Sequence, residues 1–334
     1  MSLSSKYTWR ARIRQYRTYS SCVPPSSRSR QEKSPIAYHF LRNPIPYDIG
    51  LQLQETILNT RVKWRAQNKD ISDAQSVPAD DGEGDVILLL EHVPTYTTGR
   101  RDLALTSASS HPEQAKMLHS GATFHQTKRG GQVTYHGMGQ LVGYPILDIG
   151  SGGMSLSARC YVDHVQSVLA AYARHALGAA ADVNAPHPNG HVGVFIGEQE
   201  KLASIGIQIR HRLTSHGFAI NVTREPIPWF DLVTACGLDH VRATSLQGVM
   251  LGERFPVSGD LPDSASSVAK VATEMMPFFG DKFDRRMVAL QQIAGTNREA
   301  EVWHEIQKHI RQAEDQAEKT ITESPPSRRP LSMW

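Results

Sequence analysis

The chain has 334 residues, of which 21% are charged and 40% hydrophobic. That balance excludes disorder along most of the length, and no apolar run approaches the roughly 18–20 residues that span a bilayer, so no membrane partner is expected. The formal net charge is +3, but residues 1–31 hold Lys6, Arg10, Arg12, Arg14, Arg17, Arg28 and Arg30 and no acid. Without those seven cations the remainder stands at −4, which argues against nucleic acid as a partner.

Residues 1–33 are rich in Arg and Ser and lack the apolar core of a secretory signal. That is the composition of a mitochondrial transit peptide, so the expected location is the mitochondrion. Trp9, Ile13 and Tyr16 give this segment one apolar helical side. A helix is expected over 44–66, then a polar, acidic surface insertion at 67–84. A strand at 85–91 is carried by Val86-Ile87-Leu88-Leu89-Leu90. Pro94 to Arg101 reads as a turn-rich connection, 111–119 as a short helix, and 121–148 as two strand-like pieces around a glycine-rich core.

Residues 155–178 form a helix with Val162, Val165, Val168, Leu169 and Tyr172 on one side. Three strands follow, at His191–Ile196, Leu202–Arg210 and Phe218–Val222, with Gly197-Glu198-Gln199-Glu200 as a hairpin turn between the first two. A short helical approach at 228–234 leads to Cys236, and 252–266 reads as loop. Helices are expected at 266–278, 282–294 and 298–318, and a disordered tail at 322–334. Strands and helices mix without strict βαβ alternation, so the fold class is α+β with a mixed or antiparallel sheet.

The three cysteines are Cys22, Cys160 and Cys236. They form no CxxC pair, so no zinc site is expected, and a reducing compartment is the natural setting. Cys160 lies inside an apolar helix and reads as core packing.

Four segments carry possible chemistry. The run from Arg129 to Pro145 holds Gly130, Gly131, Gly137, Gly139 and Gly143 around Thr134, Tyr135, His136 and Gln140. So many glycines weaken a strand unless a ligand or another backbone approaches closely; a tight hairpin explains them equally well. The run matches neither a GxGxxG turn nor a Walker loop. Lys201 heads the alternation that places it on the side of Ala203 and Ile205, where a buried ammonium is costly unless used; a lysine snorkelling at a hairpin end is the alternative. His216-Gly217-Phe218-Ala219-Ile220-Asn221-Val222 flanks an apolar run with His and Asn. Cys236, beside Gly237, is either an accessible nucleophile or a small buried hydrophobe.

These segments, in this order, resemble the octanoyl (lipoyl) transferase family over about residues 45–250. The resemblance is carried by Glu91-His92-Val93-Pro94-Thr95-Tyr96-Thr97-Thr98-Gly99-Arg100, by Arg129–Pro145, by Lys201-Leu202-Ala203-Ser204-Ile205-Gly206, by His216–Val222 and by Ala235-Cys236-Gly237. Met138 and Ala235 depart from it at positions where the family has proline, which concerns loop stiffness and not the reacting groups.

The resemblance implies a mixed β-sheet flanked by helices, like the catalytic domain of biotin and lipoate protein ligases. It divides the chain into a transit peptide at 1–33, a catalytic domain at 40–280 and a helical, partly disordered C-terminal extension at 281–334. It implies an acyltransferase without cofactor, with Cys236 as acyl acceptor and Lys201 as its acid/base partner. Octanoyl-acyl carrier protein would be the donor. Lipoyl domains of 2-oxoacid dehydrogenases and the glycine cleavage H protein would accept the group.

The acyl site would be lined by Arg129, Gly130, Gly131, Gln132, Val133, Thr134, Tyr135, His136, Ser204, Ile205, Gly206, Gly217, Phe218 and Ala219. His136 and His216 are positioning candidates. Arg100, Arg101, Lys128, Arg129, Arg210 and Arg212 would form a basic docking rim for acidic protein substrates. An ATP-dependent lipoate or biotin ligase is the alternative, as is a non-catalytic binder of lipoyl domains.

Overall fold

The structure, a computed structural model, describes residues 33–68, 82–105, 114–150, 155–178, 180–232, 240–252, 264–293, 299–327 and 330. The transit-peptide segment, the loop at 253–263 and Cys236 therefore lie outside the described residues, as does most of the 67–84 insertion. In chain order the elements are β1 (Ile36–Phe40), α1 (Tyr47–Asn68), β2 (Val86–Leu90), β3 (Thr95–Thr98), α2 (Arg100–Leu105), α3 (Gln114–His119), β4 (Thr123–Gln126), β5 (Thr134–His136) and β6 (Gln140–Ile146). They continue with α4 (Ala158–Leu177), β7 (Val183–Asn184), β8 (Val194–Ile196), β9 (Glu200–Arg210), β10 (Leu213–Asn221), α5 (Ile227–Phe230), β11 (Arg242–Ala243), α6 (Leu246–Met250), α7 (Ser264–Phe283), β12 (Met287–Ala289) and α8 (Glu299–Glu323).

The main sheet runs β12-β1-β2-β6-β10-β9-β8-β7, with β11 beside β9. Its β12-β1-β2 edge is parallel and the pairs from β2 to β7 are antiparallel, which makes the sheet mixed as expected. Every residue of β2 is buried, because helices cover both faces of the sheet there and a continuous apolar run satisfies both. α4 and α7 cover one face around Val165, Leu169, Phe218 and Phe279. α1 and α8 cover the other, around Ile57, Leu88, Ile306 and Ile310. A small sheet, β4-β3-β5, packs its own cluster of Tyr96, Met117, Tyr135 and Trp229.

α4 begins at Ser157, whose side chain accepts from the Cys160 amide, and stops at Gly178 with φ 83°. This is a serine N-cap and a left-handed glycine stop, and it matches the expected 155–178. Cys160 packs partly buried against the core as expected. It is however disulfide-bonded to one of the two cysteines outside the described residues, which runs against the expected reducing setting.

The expected helix at 282–294 is not formed. α7 ends at Phe283, Asp284 takes a left-handed turn with φ 51°, and Met287-Val288-Ala289 becomes a strand parallel to Ile36-Ala37-Tyr38. A partner about 250 residues away decides that conformation against local propensity. The boundary at 280/281 is consequently not a structural one: residues 281–283 finish α7, β12 completes the main sheet, and α8 shares the core of α1. The 121–148 region holds three strands, and β1 and β3 were not legible.

Candidate active site

β9 and β10 form the floor of a cavity of about 500 Å³, within the usual range of small-molecule sites. Alternation along β9 puts Lys201, Ala203, Ile205 and Ile207 on one side of the strand, and Lys201, Ile205 and Ile207 all line the cavity. Lys201 is half-buried, with Nζ 5.6 Å from the centre of the Phe195 ring. It lies inside the strand, one residue after Glu200, and not on the preceding turn.

Of the residues expected at the acyl site, Arg129, Gly130, Gly131, Gln132, Thr134, His136, Ser204, Ile205, Gly206, Gly217, Phe218 and Ala219 line this cavity together with Lys201. Val133 and Tyr135 do not. Both are buried in the cluster of the small sheet, where Tyr135 stacks on Trp229 with ring centres 5.1 Å apart. They alternate with Gln132, Thr134 and His136, so β5 turns one side to the cavity and the other to its own core. Gly143 allows the cavity its shape. It faces Phe218 across the β6–β10 pair, and a Cβ there would stand 2.2 Å from the Phe218 ring.

Tyr47, His136, Tyr144 and His216 make one end of the cavity polar, with His92 behind Tyr144. His92 Nδ1 donates to the Ile45 carbonyl at 2.6 Å, which leaves Nε2 to accept from the Tyr144 hydroxyl at 2.5 Å. Burial pushes His92 down to about 4 and Tyr47 up to about 12. Tyr47 stacks on His136 with 6.0 Å between ring centres. His136 Nδ1 meets Gln140 Oε1 at 2.8 Å, Gln140 Nε2 donates to Asn221 Oδ1 at 2.8 Å, and Asn221 Nδ2 donates to the Thr244 carbonyl at 2.8 Å. That relay fixes the amide orientations, so His136 carries its proton on Nδ1 and leaves Nε2 unprotonated. Burial holds its pKa well below the ordinary histidine value.

His216 lines the same end and is 4% exposed. Its φ is 53°, and its amide donates to Gln54 Oε1 at 2.7 Å. A non-glycine residue held left-handed inside a strand costs of order 1–3 kcal/mol, a strain often found at functional sites. Burial pushes it down to about 4, and Nδ1 has no hydrogen-bond partner among the described residues.

The expected basic rim divides. Arg129 is buried, and its guanidinium donates to the carbonyls of Thr97 at 2.8 Å, Gln132 at 2.9 Å and Gly130 at 3.0 Å. It ties the glycine loop to β3 and is no docking residue. Arg210 pairs with Glu55 at 2.9 Å and Arg212 donates to the Ile149 carbonyl at 2.8 Å. Arg100, Arg101 and Lys128 remain exposed, and Arg101 lines the cavity. Tyr144 of the glycine-rich run also lines it, as do Tyr47 and His191, which were missed because each reaches it from an element whose own pattern reads as structural. Among the described residues no cluster of metal-ligating side chains occurs and no helix is long and apolar enough to cross a membrane.

A family model described as the lipoyl protein ligase A/B catalytic domain matches residues 48–257. An octanoyltransferase of Acidobacterium capsulatum is 35% identical over 221 residues, covering 63% of this chain and 78% of that one. The chloroplastic octanoyltransferase of Arabidopsis thaliana is 31% identical over 218 residues, covering 65% of this chain and 69% of that one. Among solved structures, protein Ta0514 of T. acidophilum, described as a lipoate protein ligase and solved with lipoic acid bound, superposes with a TM-score of 0.50 at 14% identity. It covers 82% of this chain and 95% of that one, and shows the shared α+β fold.

Proposed function

We propose a specific reaction for this chain, which belongs to the lipoyl protein ligase A/B catalytic domain family and is a transferase of octanoyl groups in protein lipoylation. The donor is octanoyl-acyl carrier protein, the acceptor a lysine of a lipoyl domain, and the group passes through a thioester on Cys236. The observation that carries this reading is Lys201 on the wall of an acyl-sized cavity built from the glycine-rich run, β9 and β10.

A thioester is already activated, so the chemistry needs a nucleophile, a proton carrier and donors for the developing oxyanion. A free thiol has a pKa of about 8.5, and a neighbouring ammonium raises its thiolate fraction. Cys236, which this reading requires in its reduced form, attacks the octanoyl carbonyl, and Lys201 gives its proton to the departing carrier thiolate. Lys201, now neutral, takes a proton from the incoming amine, which attacks the acyl-enzyme and releases Cys236. The apolar stretch of Ile205, Ile207, Val142 and Phe218 holds the chain.

Incubation with octanoyl-acyl carrier protein followed by intact-mass measurement and peptide mapping tests this. An octanoyl adduct on Cys236 is expected. An adduct on Cys160, or one formed only from free octanoate with ATP, overturns it. Residues 1–33 direct the protein to mitochondria, and fused to a fluorescent protein they carry it there; a diffuse signal refutes the address.

A further inference from the structure

The transfer has a proton balance that Lys201 by itself does not close, given the reading of Lys201 and Cys236 above. The acceptor lysine arrives as an ammonium and leaves as an amide N–H, so it loses two protons. One replaces the proton Lys201 gave to the carrier thiolate. The other must reach solvent, and it must leave Lys201 before the tetrahedral adduct, whose nitrogen still carries an extra proton, collapses.

His191 stands where such an exit is required. It lines the cavity with Lys201, at the stretch formed by Gly190, His191 and Val192, where Val192 is exposed and His191 partly so. Both side chains border the Phe195 ring, Lys201 Nζ 5.6 Å and the His191 ring 6.4 Å from its centre, and the charge of Lys201 is felt at His191. His187 fills the space behind, 4.9 Å from His191 and 4.5 Å from Phe195, centre to centre. His187 Nδ1 accepts from the Asn189 amide at 3.1 Å, so its Nε2 donates to the Glu198 carbonyl at 2.9 Å. With both nitrogens engaged it is a fixed support for the His191 ring. Gly193 permits the approach: a Cβ there would lie 3.0 Å from Lys201 Cε and 2.6 Å from the Ala203 carbonyl.

We infer that His191 is the proton exit of the second half-reaction: it accepts from Lys201 the proton taken from the incoming ammonium and releases it to water. Lys201 is then neutral again when the tetrahedral adduct sheds its extra N–H proton, and the cycle ends with Lys201 protonated, Cys236 free and one proton in solution. Among the described residues, the titratable groups facing His191 are Lys201 and His187. Partial burial and these two neighbours lower its pKa, so it is neutral near pH 7 and able to accept.

The test uses the full chain, with His191→Ala and His191→Gln as variants and circular dichroism to verify folding. Single-turnover acylation by octanoyl-acyl carrier protein, measured beside transfer, should slow by a clearly smaller factor, since that half-reaction exports no proton. Transfer to a lipoyl domain should slow by about tenfold or more, within the reach of acid/base contributions. It should lose the pH limb that His191 sets, and imidazole added to the buffer should restore it. Unchanged transfer overturns the inference. So does slowed transfer that imidazole leaves slow, since that marks a structural role. If wild-type enzyme forms no acyl adduct, the covalent reading fails and this inference with it.

Discussion

Asp85 ties α1 and the chain before β12 to the start of β2, and its removal is a sharp test of the packing argument. It is wholly buried. One oxygen accepts from Arg61 at 2.5 Å and from the Asp148 amide at 2.7 Å; the other accepts from Arg285. Both guanidinium groups are at most 1% exposed. Asp85→Ala leaves two buried cations without their shared carboxylate. Each keeps part of its shell: Arg61 still donates to the Ile146 carbonyl at 2.8 Å, and Arg285 to the Ser34 carbonyl at 2.7 Å. The cost should therefore fall near the ordinary range for breaking a buried pair, about 3–5 kcal/mol, a melting temperature lower by about 6–20 °C. Asp85→Asn keeps the shape but turns a donor toward one guanidinium, at about 1.5–3 kcal/mol. Urea unfolding followed by circular dichroism measures both. Because the network is buried, the loss should change little between low and high salt. The network lies away from Lys201, so the transfer rate at temperatures where the variant is folded should match wild type. A loss below 1 kcal/mol, or one that salt abolishes, would refute the reasoning.

Lys201→Arg keeps a cation but removes a removable proton, so both half-reactions should slow by about 10²–10⁴-fold on a folded protein; near-normal single-turnover rates would remove Lys201 from the mechanism. Gly143→Ala would place a Cβ 2.2 Å from the Phe218 ring, so overpacking should cost about 1–3 kcal/mol, and acyl-donor KM should rise more than kcat falls in steady-state kinetics. His92 and His216 are both held down to about 4. The unfolded chain therefore binds protons from about pH 6.5 downward while the native state does not, and stability falls as pH drops through that window, by about 3 kcal/mol for each residue. Urea midpoints at pH 7 and pH 4.5 check this, and a flat profile between them would exclude it.

Much of this protein is legible where the determinant is local. The run Val86–Leu90 reads as a buried strand because it is apolar on both sides, and α4 shows its cap, its stripe and its stop. The alternation from Lys201 to Ile209 already assigns the lysine to the apolar side of its strand. The rest depends on partners distant in sequence. The β9–β10 hairpin turns on His211 and Arg212, both left-handed at φ 52° and 67°, with no Asn or Gly to announce a two-residue turn. Met287–Ala289 is a strand only because Ile36–Tyr38 lies beside it, and Arg285 just before it is anchored on Asp85. Arg129 looks like a docking cation by charge and is a buried clamp by geometry, since three carbonyls of the neighbouring turns converge on it. Tyr47, Tyr144 and His191 become cavity residues only when α1, β6 and the chain before β8 meet at one place. Period and composition tell which side of an element is apolar. Which side chains share a cavity depends on how the sheet stacks strands that are not neighbours in sequence, and only the tertiary structure decides that.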